Sequence, residues 1–253
     1  MFETAYLERD TIIHRLDPRL KIIIAFLFSV VVATSSRWIA LVVALAVVLT
    51  WVGVAQLPIW DVLGRLMVLN LFLVFLWLML AFSTAGELVG KIGPISVSKE
   101  GIAYGGLICL RSNIIVLCLM ALVGTTSIFT LGRAMGRLGI PKKFVHLLLF
   151  TYRYIHVIEV EFHRLVTALK VRGFQPKTNL HTYKTYANLI GMLLVKSYDR
   201  SERVKRAMLA RGFQGQYHDL WTFSLTRLDM VVGIIMLSQV MFIIVLQWTR
   251  IVF

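Results

Sequence analysis

Two segments of the chain repeat the same residues at a spacing of 39 positions. Arg164, Ala168, Arg172, Gly173, Phe174 and Gln175 are matched in order by Arg203, Ala207, Arg211, Gly212, Phe213 and Gln214. A Gly just after a helix, with Arg in its last turn, is an ordinary C-terminal cap. A cap does not require the Phe and Gln that follow in both segments. We therefore predict two docking ends, in which Arg offers a planar donor fork to a carboxylate and Phe fills an apolar pocket. Two copies suggest two partner subunits or the halves of a dimer.

Motifs for the common enzyme chemistries are missing from the sequence. It contains no GxxxxGK[ST] loop for ATP, and no HExxH, GxSxG or CxxC motif. His156, Glu159 and His163 could share one helix face, and such side chains suit divalent transition metals. They fall on the side of the helix that we predict to be solvated, so we expect a hydrated face or a partner contact there. We predict no metal site, no cofactor and no catalytic residue in this chain.

The composition is that of an integral membrane protein. Hydrophobic residues make up 58% of the 253 positions and charged residues 16%, against about 25% charged in a typical soluble domain. The apolar residues also come in blocks, which excludes an ordinary soluble enzyme, a disordered chain and a fibrous repeat. A net charge of +14 beside such blocks indicates a cytoplasmic face that contacts anionic lipid.

Five segments are apolar and long enough to be candidate membrane spans, given that a crossing takes about 20 residues. They are Leu20 to Thr34, Trp38 to Ala55, Leu66 to Phe82, Leu107 to Gly124 and Leu228 to Trp248. The first is short and must tilt or thin the bilayer, and its start is marked by Asp17 as N-cap and Pro18 as the first helical residue. We therefore predict an all-α polytopic membrane protein with about five transmembrane helices.

The basic residues predict the orientation of these spans. Residues 125–225 carry sixteen Lys or Arg and five acidic residues, whereas the turn near Arg37, the loop at 83–106 and the C-terminal tail together carry four basic residues. The positive-inside rule places the N-terminus and the 125–225 block in the cytoplasm. The predicted domains are a membrane domain at 1–124, a cytoplasmic domain at 125–225 and a last transmembrane helix at 226–253.

The cytoplasmic block has the periodicity of long amphipathic helices. From Lys142 to Val171 the apolar or small residues recur at spacings of 3 and 4, and a second such helix is predicted from about His181 to Ala210. A shorter helix is predicted from Thr130 to Leu138. Long helices with one apolar face can lie against a bilayer and hold a partner on the other side.

Arg111 is the one charged residue deep in a predicted span. It lies a few residues past the outer end, so its side chain can extend to the outer interface. Alternatively, Arg111 and Asn113 make a polar contact with another membrane subunit. The sequence leaves both interpretations open.

The two endings, VRGF at 171–174 and ARGF at 210–213, resemble a pair of motifs in a known family. The transmembrane (T) components of energy-coupling factor transporters carry two Ala-Arg-Gly-type motifs on cytoplasmic coupling helices. LDPRLK at 16–21 and the stretch 182–213 extend the resemblance, and the latter is similar to the CbiQ branch, the T component of cobalt or nickel uptake systems. Val171 departs from the motif, where the family has Ala, which should alter packing more than the Arg contact.

The resemblance implies a scaffold that joins two ABC-type ATPase subunits to a metal-binding S component similar to CbiM, in a bacterial or archaeal cytoplasmic membrane. A small accessory membrane subunit is a further implied partner, and anionic lipid is expected around the basic face. The implied ATPase-coupling residues are Arg172, Gly173, Phe174, Ala210, Arg211, Gly212 and Phe213. Cobalt is the expected cargo and would be bound by the S component, with a nickel or vitamin importer as the alternative.

Two other classes of function fit the sequence less well. A membrane-integral enzyme would have only Arg111 and Asn113 as polar candidates within the membrane, with no nucleophile or metal set beside them. A membrane tether for nucleic acid would use the basic block 125–225, but its charges alternate with an apolar stripe and it carries no base-reading motif. We therefore predict a non-catalytic subunit that binds no nucleic acid.

Overall fold

The computed structural model describes residues 11–83, 88–92, 95–214 and 226–248, which form nine helices and one short hairpin. The predicted domain boundary at 225/226 and the C-terminal residues 249–253 lie outside this part of the chain. The elements are α1 Ile12–Arg15, α2 Pro18–Thr34, α3 Trp38–Val54, α4 Ile59–Ser83, β1 Leu88–Ile92, β2 Ile95–Ser98, α5 Lys99–Leu122, α6 Ile128–Arg137, α7 Lys142–Val171, α8 Leu180–Ala210 and α9 Arg227–Trp248. The prediction of an all-α membrane protein is confirmed.

Each predicted span corresponds to one helix. Three helices of the described chain are long and apolar enough to cross a membrane, within Ile59–Leu80, Lys99–Leu122 and Arg227–Trp248. The helices α2 and α3 have 17 residues each, or about 25 Å, which is shorter than a hydrocarbon core of about 30 Å. Five crossings therefore require local thinning of the bilayer at α2 and α3, and the number of crossings stays a prediction.

The start of α2 follows the predicted cap. The Asp17 side chain accepts a hydrogen bond from the backbone N–H of Arg19 at 2.9 Å, and Pro18 occupies the first helical position. Because a proline has no N–H to leave unpaired, the pair Asp17 and Pro18 defines a sharp start.

The segment between α4 and α5 differs from the loop predicted at 83–106. β1 and β2 pair as antiparallel strands, with Ile92 opposite Ile95. The helix α5 then begins at Lys99, eight residues before the apolar run, because the Ser98 side chain caps it by accepting from the Gly101 N–H at 3.3 Å. The loop prediction was wrong here because it relied on the start of the apolar run and overlooked the cap.

The described chain divides into two compact units, residues 1–139 with 223–253, and residues 140–222. In the first unit α5 packs against α2, α3 and α4, while α9 packs against α2 and α3. Its core includes Phe28 and Trp51, whose ring centroids are 5.0 Å apart. The helix α6, which the sequence analysis grouped with the cytoplasmic block, packs on α2 in this unit.

The second unit is built from α7 and α8. Lys196 on α8 donates a hydrogen bond to Glu161 on α7, and Glu161 also faces Arg164 at 3.8 Å. The hydrogen bond from Lys196 lowers the pKa of the Glu161 carboxyl below its usual range. This ion pair therefore ties the two long helices together near the middle of each.

Candidate functional site

The two long helices end in the same backbone motif. At the end of α7 the N–H of Phe174 donates to the carbonyl of Leu169 at 3.1 Å, and the N–H of Gly173 donates to the carbonyl of Lys170 at 3.0 Å. At the end of α8 the corresponding bonds run from Phe213 to Met208 at 3.1 Å and from Gly212 to Leu209 at 3.0 Å. This pair of bonds is the Schellman motif, which satisfies carbonyls that a helix end leaves unpaired. The sequence repeat is therefore also a repeat of structure.

The glycines are required by backbone conformation and not by space. Gly173 and Gly212 have φ angles of +78° and +79°, in the left-handed region. A Cβ added at either position would meet nothing within 4 Å. Any other residue would still pay about 1–2 kcal/mol for the left-handed conformation. Each glycine thus lets the chain turn away immediately after the arginine.

The arginines are the last residues before these turns, and both are exposed. Arg172 and Arg211 occupy the C-cap positions of α7 and α8. Within residues 140–214 as the structure describes them, neither guanidinium has an acidic or carbonyl partner. Each is held by the end of a rigid helix, since the backbone of the cap is fixed by the Schellman bonds. They are therefore two pre-positioned donor groups without an acceptor in the described part of their own unit.

The phenylalanines of the repeat pack partly within the chain. The Phe174 ring lies edge-on to Tyr186 of α8, with centroids 5.8 Å apart, and also contacts His181 at 6.4 Å. Phe213 lines a groove between α7 and α8. Both rings are half-buried. The part of each ring that packs internally fixes the direction of the turn, and only the remainder is available to the partner pocket that the sequence analysis expects.

The residues before the arginines differ between the two ends but lie in similar places. Val171 is 84% exposed, and Ala210 at the end of α8 is also exposed. Val171 packs against none of the core, so the departure from the Ala-Arg-Gly pattern changes the outer surface of this end.

An apolar groove of about 680 Å³ separates α7 from α8 on the side of Arg211. Its walls come from both helices, and the charged side chains of Arg200 and Lys205 lie among the lining residues. The apolar members include Phe150, Tyr154, Ile158, Val204, Met208 and Phe213. The two helices thus separate as they leave the Glu161–Lys196 ion pair.

The apolar stripes of α7 and α8 remain largely uncovered by the rest of the second unit. Val145 is the one buried side chain that α7 contributes among the described residues, and α8 contributes Thr182 and Leu189. Phe144, Ile155 and Ile190 are each more than half exposed, as are several neighbours. An apolar surface of this extent is typical of a protein or membrane contact.

Two side chains on the histidine-rich face of α7 share a hydrogen bond. His156 Nδ1 lies 3.3 Å from Glu159 Oε2, and both side chains are exposed. No group of three His, Cys, Asp or Glu side chains comes together in the part of the chain that the structure describes. The hydrated face or partner contact expected from the sequence stays a prediction.

The structure separates the two intramembrane candidates, Arg111 and Asn113. Asn113 forms a reciprocal amide pair with Asn70 of α4, with N–O distances of 2.8 and 3.1 Å, and its amide also donates to the Cys109 carbonyl. Arg111 is half-buried, and its Nε has no hydrogen-bond partner among the described residues. Asn113 therefore joins α4 to α5, and Arg111 is the one of the two with donors left over.

Sequence reasoning missed two polar contacts in the first unit. It overlooked Asn70, the partner of Asn113, because a single Asn in an apolar run gives no signal of what it faces. It also overlooked the burial of Lys21, which is 1% exposed and donates to Thr126 Oγ1 at 2.9 Å. The LDPRLK segment gives no sign of this burial, because a Lys near the end of a span normally extends its ammonium group to the interface.

The sequence matches the family of cobalt transport proteins, CbiQ, over residues 9–222. Similar proteins include the energy-coupling factor transporter transmembrane protein EcfT of Heliobacterium modesticaldum, which is 27% identical over 220 residues covering 83% of each chain. The EcfT proteins of Listeria innocua and Staphylococcus aureus are 26% and 28% identical, over 83% and 82% of each chain.

Proposed function

The chain belongs to the CbiQ family of cobalt transport proteins, and we propose that it couples ATP hydrolysis by partner subunits to cobalt uptake. It is the transmembrane (T) component of an energy-coupling factor transporter, a membrane scaffold subunit. Because its sequence contains no phosphate-binding loop, the proposal assigns hydrolysis to two ABC-type ATPase subunits.

The observation that carries the proposal is the matched pair of helix ends. Each presents an exposed arginine whose backbone is locked by a Schellman motif and whose guanidinium has no acceptor in the described part of its own unit. A guanidinium pairs with a carboxylate through two parallel hydrogen bonds, which fixes orientation as well as affinity. We propose that Arg172 and Arg211 each bind a carboxylate or carbonyl in a groove of an ATPase subunit.

The spacing of the two ends supports two separate docking sites. The 31 residues of α8 span about 46 Å at 1.5 Å per residue. This helix lies between the loop that follows Arg172 and Arg211, so the two arginines are at opposite ends of it. One shallow pocket could not hold both guanidiniums at that distance, whereas two ATPase subunits side by side could hold one each. Because the two motifs are nearly identical, either ATPase subunit could bind either helix end.

The S component is the proposed partner of the membrane unit. Arg111 is the polar contact that we propose for it, since its Nε lacks a partner among the described residues while the Asn113 amide is engaged by Asn70. The apolar faces of α7 and α8 supply further surface that partner subunits would cover.

The orientation follows from the charge count, with the N-terminus and the second unit in the cytoplasm. Labelling of single cysteines tests this in a chain that lacks its two native cysteines. Ser36→Cys, in the exposed turn after α2, should react with an impermeant maleimide added to intact cells, and Lys184→Cys on α8 should not. The opposite pattern would reverse the orientation.

Cobalt is proposed as the cargo because the family that the chain matches is described by cobalt transport. The ion would be bound by a metal-binding S component similar to CbiM, since the described part of this chain groups no set of metal ligands. A nickel or vitamin importer is the alternative, and competition of Ni²⁺ with radiolabelled Co²⁺ for uptake separates the two metals.

The test is reconstitution of the complex. The chain should co-purify with the two ATPases and an S component encoded beside it, and the complex should take up radiolabelled Co²⁺ in proteoliposomes only when ATP is present. The chain alone should neither hydrolyse ATP nor transport Co²⁺. ATP hydrolysis that scales with the concentration of the pure chain would refute the proposal.

A further inference from the structure

The LDPRLK segment at 16–21, to which the proposed function gives no role, lies where several helix ends meet. Lys21, in the first turn of α2, is 1% exposed. Its Nζ donates to Thr126 Oγ1 at 2.9 Å, and Thr125 Oγ1 and the His14 carbonyl lie at 3.5 and 3.4 Å. An ammonium group is costly to bury unless it is hydrogen-bonded and paired. This set of acceptors compensates that cost.

An opposite charge at the start of α9 completes the cluster. Asp229 is 4% exposed and attracts Lys21 electrostatically. Its Oδ2 accepts from the N–H and the hydroxyl of Thr226 at 2.8 and 2.6 Å, in a capping box. Its Oδ1 accepts from the backbone N–H of Asp17 at 3.0 Å. The start of α9 is therefore tied to the start of α2, and α2 is tied through Lys21 to Thr126.

Thr125 and Thr126 form the turn between α5 and α6. The Thr125 hydroxyl donates to the carbonyls of Ala121 and Leu122, and the Thr126 hydroxyl donates to Leu122. Their oxygens are thus left as acceptors for Lys21. From this turn the chain continues through α6, which packs on α2, toward the unit at 140–222. Lys21 binds the chain at the point where it leaves the central membrane helix.

We propose that Lys21 is a positioning residue that transmits motion of the coupling helices α7 and α8 to the membrane helices α2 and α9. A displacement of α7 and α8 pulls on the turn at 125–126 through α6. The ammonium group joins that turn to α2, and Asp229 joins α2 to α9. Without the ammonium group, the turn is held to α2 only through the packing of α5 and α6, and less of the displacement reaches α2 and α9. The inference rests on the proposed coupling role but not on the identity of the cargo.

The test uses the complete complex with its ATPases, reconstituted in proteoliposomes. Lys21→Met replaces the ammonium with an unbranched apolar side chain of similar length. Thr126→Val removes the acceptor hydroxyl and keeps the shape, and Thr126→Ser keeps the hydroxyl as a matched control. Spin labels at Ser36→Cys and Lys184→Cys, in a chain without native cysteines, report the distance change between ATP-free and ATP-bound states. Uptake of radiolabelled Co²⁺ per ATP hydrolysed is the second readout.

Lys21→Met should assemble and hydrolyse ATP at the parent rate, while uptake per ATP falls roughly tenfold, a typical magnitude for coupling between sites. The ATP-dependent distance change should be larger in Lys21→Met and Thr126→Val than in the parent, because α2 no longer follows α8, and it should match the parent in Thr126→Ser. If the Lys21→Met complex does not assemble, the comparison of Thr126→Val with Thr126→Ser still tests whether the Lys21–Thr126 contact is required for coupling.

Three results would overturn the inference: unchanged uptake per ATP in these variants, equal losses in Thr126→Val and Thr126→Ser, or a distance change in Lys21→Met that is no larger than in the parent. Failure of the parent to transport Co²⁺ would instead contradict the cobalt proposal, and the spin-label measurement would still test Lys21.

Discussion

Replacing Arg172 and Arg211 by Lys separates the two roles that an arginine at a helix end can have. Arg and Lys place the same charge near the helix C-terminus, where a cation contributes about 0.3–1 kcal/mol through the dipole. The change to Lys therefore preserves that contribution. It removes the planar fork, which a bidentate carboxylate contact requires. If the arginines only cap their helices, both Lys variants should behave as the parent does.

Each arginine is exposed and has no partner in the described part of its own unit, so its whole contribution to the binding free energy should come from the partner subunit. No described residue of the unit pairs with either guanidinium, so the loss of an arginine should weaken the contact with the partner subunit. Truncating one member of a desolvated charge pair costs about 2–5 kcal/mol, or roughly 30- to 4,000-fold in the affinity of that end. Removing Arg172 or Arg211 alone leaves the other end attached, so the complex should survive and transport should fall. Removing both abolishes the benefit of two linked sites, and the complex should dissociate.

The assay pairs ATPase pull-down with uptake of radiolabelled Co²⁺ in the Arg→Lys and Arg→Ala singles and the double Arg→Ala variant. Arg153→Ala is the matched control, because Arg153 is also exposed on α7 but lies in mid-helix, away from both Schellman turns. We expect normal assembly and uptake in Arg153→Ala. Normal uptake in the double Arg→Ala variant would refute the docking reasoning.

Three further predictions concern stability. Gly173→Ala should destabilise the chain by about 1–2 kcal/mol because the φ of Gly173 is +78°. Gly191→Ala is the control: this glycine is in mid-helix with open space around it, so the change should stabilise the chain by up to about 1 kcal/mol. Thermal unfolding of both variants shows whether the two changes in stability have opposite signs. In the folded chain the hydrogen bond from Lys196 holds the pKa of Glu161 below its ordinary 4.5. The ionised carboxylate therefore stabilises the fold above about pH 4.5, and this contribution is lost as the pH falls through the lowered pKa. The melting temperatures of Glu161→Gln and the parent should accordingly converge in acid. Asn113→Leu should cost about 1–3 kcal/mol because it leaves the half-buried Asn70 amide of α4 unpaired. Changing both amides to Leu should recover most of that loss in the same unfolding assay.

Local signals in the sequence were sufficient to predict the long helices, although not the short α1. The apolar blocks and the 3- and 4-residue spacings placed all five candidate spans and both long amphipathic helices on helices of the structure, and Asp17 and Pro18 marked the start of α2. These features depend on neighbours within one or two turns, which the sequence displays directly. The early start of α5 was missed, since its cap at Ser98 precedes the apolar run.

Contacts between distant parts of the chain were not predictable in the same way. Lys21 meets Thr126 across 105 positions, and Asn70 meets Asn113 across 43. A polar residue in an apolar run is equally compatible with an interface, a subunit contact or a buried pair, and the choice depends on which helices are neighbours. The packing of Phe174 on Tyr186 was missed for the same reason.

The cap and the docking contact use different atoms of the same residues. The Schellman bonds engage the N–H groups of the residues that follow each arginine and the carbonyls of the preceding turn. They explain why Gly173 and Gly212 must be glycine, since only the backbone conformation constrains them. They do not involve the guanidinium of Arg172 or Arg211, and any cationic side chain would interact equally well with the helix dipole at these positions. The cap therefore accounts for the glycine and for the rigidity of each end, and the specific choice of arginine at both ends is what a partner must explain.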